Sequence, residues 1–216
     1  MAFFGFIPSD SLLQNVQTSF AQKNTKEALY PLRDEIALQV NEEIIDAILT
    51  NVVRHFPHSD KKETAEKLAK FVKSSVAVLL KQLLGKTSNE VVQQSIAFSK
   101  SSVFTDPNGQ LRMGESLDPR LVTNLKHYFA EILAGNRIDI HAFAENYKVF
   151  AEATVNHYMH DFYVTLDLGM IKRKAADIGC AAVIKAVHIA IDKIFPHLTK
   201  DELKVLATHH DALFFQ

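Results

Sequence analysis

An all-α fold, a single-domain helical bundle of about seven or eight helices over residues 1–216, is what the sequence predicts, and three observations carry it. Seven glycines and six prolines are too few for the turns of a sheet protein or for glycine-rich phosphate loops. Apolar residues recur every three or four positions through most of the chain, the period of a helix face. The runs open on capping residues or proline, and several stop at glycine. With 47% hydrophobic residues, the chain has enough apolar material for a core of its own.

Ser9 or Asp10 opens a first helix with Leu12, Val16 and Phe20 on one face, ending near Lys23 and Asn24. From about Thr25 a stripe through Leu29, Ile36, Val40, Ile44, Ile48 and Val52 runs to Phe56, and Pro31 either starts or kinks that helix. Leu68, Val72, Val76, Leu80 and Leu83 define a helix from Asp60 to Leu84, with Gly85 where a left-handed cap is wanted. Thr87 and Glu90 have capping-box spacing before a shorter helix to about Ser102. Asp106-Pro107-Asn108-Gly109 is a turn signal, predicting a loop or short β-hairpin near 103–114.

Asp118 caps the next helix, Pro119 takes its first position and Gly135 stops it. Asp139 opens an aromatic-rich helix in which Phe143, Tyr147, Phe150, Thr154, Tyr158 and Phe162 advance by three or four, ended or bent by Gly169. The helix after it, to about Phe195, carries Ala175, Gly179, Ala182, Ala186 and Ala190. Small residues at that spacing admit a close neighbour, so it is expected to be the central helix. Thr199 and Glu202 form a capping box for the last helix.

Phe56-Pro57-His58 returns as Phe195-Pro196-His197, each just upstream of a helix start. The apolar register matches before the tripeptide but fails after it, where Leu68 aligns with Ala207 and Val72 with Asp211. The repeat therefore reads as a helix-to-helix connector, not a duplication.

Charges nearly cancel and no basic cluster exceeds Lys172-Arg173-Lys174, so no nucleic-acid footprint is expected. The longest wholly apolar run outside the N-terminus, Ile178 to Ile184, is far short of the ~20 residues of a membrane span, so no transmembrane segment is expected. The N-terminus lacks the pattern of a signal peptide, and the lone Cys180 sits among small apolar residues. A cytoplasmic protein is the expectation.

Eight of the ten histidines lie in the second half. His157, His160 and Asp161 fall within one helical turn, where they could supply ligands to a zinc or iron ion or form a histidine–aspartate pair at the core's edge. The spacing matches neither the H-E-x-x-H nor the E-x-x-H pattern. His188, beside Val187 and Ile191, could be an axial haem ligand or a core histidine. His209-His210-Asp211 reads as solvated surface, because adjacent helix residues diverge by about 100°. No nucleophile elbow or phosphate loop is present, which disfavours nucleophilic catalysis and nucleotide hydrolysis.

Fifteen phenylalanines cluster toward both ends, as Phe3, Phe4 and Phe6 and, with Leu213, as Phe214 and Phe215. Exposed, they would be a liability, so they either dock on the protein's own core or enter a second copy or partner. The expected function is thus a non-enzymatic, self-associating helical protein acting through protein contacts with these six residues at the interface. The alternatives are a metal- or haem-binding sensor or oxidoreductase, and a carrier of an apolar ligand, such as a fatty acid or tetrapyrrole, in an aromatic-lined pocket.

Overall fold

The computed structural model describes residues 2–22 and 24–216, excepting the side chain of Asp60. Among these the chain is mostly helical, with eight helices when segments continuous through a π-helical turn are counted as one, and a small antiparallel sheet.

Helices begin where a side chain can take the unpaired amides of the first turn. Ser9 accepts from the Leu12 amide ahead of α1 (Asp10–Ala21); the expected stop near Lys23 falls partly outside the described residues. Pro31 starts α2 (Tyr30–Ile45) and does not kink it, since a first-turn residue needs no amide. The helix continues through a π-helical turn (Asp46–Thr50) into α3 (Asn51–Arg54). Ser59 caps α4 (Asp60–Leu83), and Ser88 caps α5 (Asn89–Ser101), one residue later than the expected Thr87. Asp118 caps α6 (Pro119–Leu133), and Asp139 caps α7 (Ile140–Val155). A second π-helical turn (Asn156–Asp161) leads into α8 (Phe162–Val164), so the aromatic helix ends short of Gly169. Gly169 instead precedes α9 (Met170–Ile194), and the Thr199–Glu202 capping box opens α10 (Lys200–Asp211).

The hairpin forms as β2 (Val103–Thr105) and β3 (Leu111–Leu117). In its turn the Asn108 and Gln110 amides donate to Asp106 Oδ1 at 2.9 and 3.0 Å, and Gly109 supplies a φ of +83°. Two more strands join it. β1 (Ala2–Phe6) lies between β3 and β4 (Phe214–Phe215), giving the order β2-β3-β1-β4. Phe4 is paired with Glu115 on one side and Phe214 on the other.

Strand alternation then divides the aromatics. Phe4 and Phe214 turn toward the helices, where their rings lie 5.0 and 4.9 Å from that of Phe150 on α7. Phe3 stacks on Phe104 at 5.0 Å on the other face, and the Arg112 guanidinium covers Phe215. The six terminal residues expected at an interface are thus placed within the fold. Phe4, Phe6, Leu213 and Phe214 are buried, and Phe3 and Phe215 are half-buried.

The central helix is α7, not α9. Phe143, Tyr147, Phe150 and Tyr158 of the aromatic helix are buried, whereas Met170, Ile171 and Ile178 of α9 are exposed. The small residue Gly179 serves one close contact, with Leu79 of α4: a Cβ there would lie 2.4 Å from Leu79 Cδ2. Both Phe-Pro-His tripeptides are connectors with the phenylalanine buried and the histidine exposed. They meet through Glu202, whose carboxylate lies 3.5 Å from Ser59 Oγ and 3.8 Å from Lys61 Nζ, while Lys61 also donates to the His197 carbonyl. Among the described residues no helix is long and apolar enough to cross a membrane.

Candidate functional site

One face of the aromatic helix, formed by Tyr147, Ala151, Thr154, Val155, Tyr158 and Met159, walls a cavity of about 130 Å³. Ile44, Ile48 and Val52 approach from the α2–α3 helix, Leu68, Val72 and Val76 from α4, and Val183, Val187 and Ile191 from α9. Phe195, Leu198 and Leu206 also line it. Among the described residues, no lysine, arginine, aspartate or glutamate lines it. An engineered cavity of comparable size, about 150 Å³ and apolar, admits benzene.

Both π-helical turns contribute to this wall, Ile48 and Leu49 from the first and Tyr158 and Met159 from the second. A π-helical turn disturbs the regular ladder and leaves carbonyls in need of partners. In the first turn two successive histidines supply them: His209 Nε2 lies 2.8 Å from the Ala47 carbonyl and His210 Nε2 2.9 Å from that of Ile48. A carbonyl only accepts, so each Nε2 carries the proton. The Tyr147 hydroxyl, 3.0 Å from His210 Nδ1, therefore donates to that nitrogen.

Burial lowers the His210 pKa to about 3 and pushes that of the Tyr147 hydroxyl upward, so both stay neutral. His209-His210 is thus not the solvated surface the sequence suggested. The divergence of adjacent helix residues does not matter when two consecutive carbonyls, and not one point, are the target.

A second polar group joins Glu115 to Thr154 and Tyr158. Glu115, on the core-facing side of β3, is 8% exposed, and Thr154 and Tyr158 are 7% and 3% exposed. Glu115 Oε1, Thr154 Oγ1 and Tyr158 OH all lack a hydrogen-bond partner among the described residues. Burial, with the negative charge of Asp161 nearby, raises the Glu115 carboxyl to about 8. The adjacent Thr154 hydroxyl opposes this, but the contact falls short of hydrogen-bond geometry. Burial and the neighbouring Glu115 hold the Tyr158 hydroxyl protonated. The sequence reading missed Glu115, although it stands between Met113 and Leu117 at the core positions of an alternating strand.

The residues expected as metal ligands are neighbours. Asp161 lies 3.8 Å from His157 Nδ1 and 3.3 Å from His160 Nδ1, so both rings address one carboxylate. His157 Nε2 contacts Ser102 Oγ at 3.2 Å, its ring packs 4.9 Å from Phe98, and burial lowers its pKa. Among the described residues no three His, Cys, Asp or Glu side chains are arranged to hold a metal ion.

His188 does not line the cavity; its Nε2 lies 4.0 Å from Glu152 Oε2, too far for a hydrogen bond. Cys180 is buried, and desolvation raises its thiol to about 11, which leaves it protonated and unreactive. No protein-family model matches this chain, and no curated protein or solved structure is significantly similar to it.

Proposed function

We propose that this protein binds a small, largely apolar molecule in the cavity between the α2–α3 helix, α4, α7 and α9. The supporting observation is a space of about 130 Å³ with an apolar, uncharged wall. Protein interiors are otherwise close-packed. The cavity's apolar lining gains by being covered, since apolar surface withdrawn from water is worth about 25 cal/mol per Å². A ligand that fills it covers that lining and adds the transfer of its own apolar surface from water.

The volume suits a single aromatic ring or a medium-length aliphatic chain. It is too small for the tetrapyrrole expected as one alternative, and His188 stands outside its wall. The protein-contact reading favoured by the sequence has less support, since four of its six anchors are buried in the protein's own core. A cytoplasmic setting, with the lone thiol kept reduced, completes the proposal.

Calorimetric titration with benzene should give saturable one-to-one binding. Ala151→Leu places a larger side chain into the cavity from α7. It is expected to abolish binding while raising Tm by roughly 4 °C, the shift of about 1–2 kcal/mol in a chain of this size. Wild-type protein that takes up no benzene would overturn the reading.

A further inference from the structure

The start of α9 stands clear of the fold. Every residue from 169 to 175 is exposed, and Ala176 is the first that is buried. Met170 and Ile171 are each 87% exposed, more than any other large hydrophobic side chain among the described residues. Lys172, Arg173 and Lys174 follow directly, the longest basic run in the sequence. None of the three is in an ion pair among the described residues, although seven other lysines and arginines are. Gly169 offers this turn no side-chain cap, so the positive end of the helix is open as well.

The cationic surface continues onto the α4–α5 connection. Lys86, also without an ion pair among the described residues, lines a pocket of about 190 Å³ together with Lys172. Arg33 lines it too but is committed to Asp34 and to the Gly85 carbonyl. Asp167 in the same pocket and Asp177, which accepts from the Tyr163 hydroxyl, are the acidic groups beside the tip. Four uncommitted cations therefore surround an adjacent pair of bare apolar side chains.

We infer that the projecting start of α9 docks on an anionic lipid bilayer, with Met170 and Ile171 entering the apolar boundary and Lys172, Arg173, Lys174 and Lys86 meeting the charged head groups. Consecutive helix residues diverge by about 100°, so no single face of α9 presents all five residues from Met170 to Lys174. An end-on approach engages them together, and a bilayer yields to such a convex tip. Long basic side chains can hold their charges at head-group level while the apolar pair lies deeper. A nucleic acid would use the cations but gain little from Met170 and Ile171. None of the five docking residues after α9 begins lines the cavity, so the inference stands apart from the proposed ligand.

Sedimentation of the full chain with vesicles tests it. Phosphatidylcholine vesicles containing about 30% phosphatidylserine should bind at least about tenfold tighter than phosphatidylcholine alone, and about 1 M salt should remove the difference. Met170→Ser with Ile171→Ser should weaken binding by at least about tenfold. Lys172→Gln with Lys174→Gln should weaken it by about twentyfold, at about fivefold for each base. All four side chains are exposed, so both variants should melt like the wild type.

Failure to bind serine-containing vesicles, or equal binding to both kinds, overturns the inference. So does binding indifferent to loss of the apolar pair, which is attraction by charge alone, and so does attachment to duplex DNA in place of vesicles. If one double variant is destabilised, the other and the wild-type preference between the two vesicles decide, and a preference under about threefold counts against docking. Benzene binding is unaffected by any of these outcomes, so the cavity reading stands or falls separately.

Discussion

His210 and Glu115 are buried groups whose protons respond to folding in opposite directions. His210 is neutral in the fold, with its pKa lowered to about 3, whereas an unfolded histidine titrates near 6.5. Its contribution is fully present above about pH 6.5 and is lost as pH falls toward 3, because the unfolded chain takes up the proton first. Glu115 holds its proton to about pH 8 in the fold, against 4.5 ordinarily. Its contribution is present below about 4.5 and is lost as pH rises through 8. Each limb has a limiting slope of about 1.4 kcal/mol per pH unit. Urea denaturation across pH should therefore find His210→Gln flattening the acid limb and Glu115→Gln the alkaline limb. Substitutions that leave both limbs unchanged would remove these protons from the account.

At the level of elements, what was legible in the sequence was what is encoded locally. Ser9, Asp118, Asp139 and Thr199 cap helices as expected because an N-cap needs only a side-chain oxygen and an amide two or three residues on. The hairpin was legible through Asp106 and Gly109. β1 was not, because its partners lie about a hundred and two hundred residues away and no turn residues announce them. The first π-helical turn was hidden for a related reason: the carbonyls of Ala47 and Ile48 are satisfied from α10. The Thr154–Tyr158 stripe was visible as a helix face, but a period cannot distinguish a filled core from a cavity. The sheet's two tight approaches offer a graded test. A Cβ on Gly114 would sit 1.8 Å from the Phe4 carbonyl oxygen, so β1 itself must move, whereas on Gly5 it would meet the Phe104 ring at 2.6 Å, and a side chain can turn aside. Gly114→Ala is expected to cost more than about 3 kcal/mol, and Gly5→Ala about 1–2 kcal/mol, measured by chemical denaturation. The reverse order would contradict the strand register.

For the whole molecule, one core cluster takes in side chains from Ala2 to Phe214, so β1 is structural and not an appendage. Phe4 and Phe6 are 0% and 2% exposed, and burying a phenylalanine contributes roughly 1.5–3 kcal/mol. β1 is also flanked on both edges, so its removal would strand the backbone groups of β3 and β4 that it pairs. Those losses together approach the 5–15 kcal/mol that typically holds a fold together. Deleting residues 1–7 is thus expected to collapse thermal cooperativity in circular dichroism and to abolish benzene binding, since Phe4 supports Phe150 on the helix that forms the cavity wall. An interface arm would behave differently: the truncated chain would melt like the wild type and show a smaller mass by light scattering. Phe4→Leu separates the two accounts without removing the strand. It shortens a contact with Phe150 that lies in the core, so Tm should fall with no change in mass, and a fall in mass at unchanged Tm would return Phe4 to an interface.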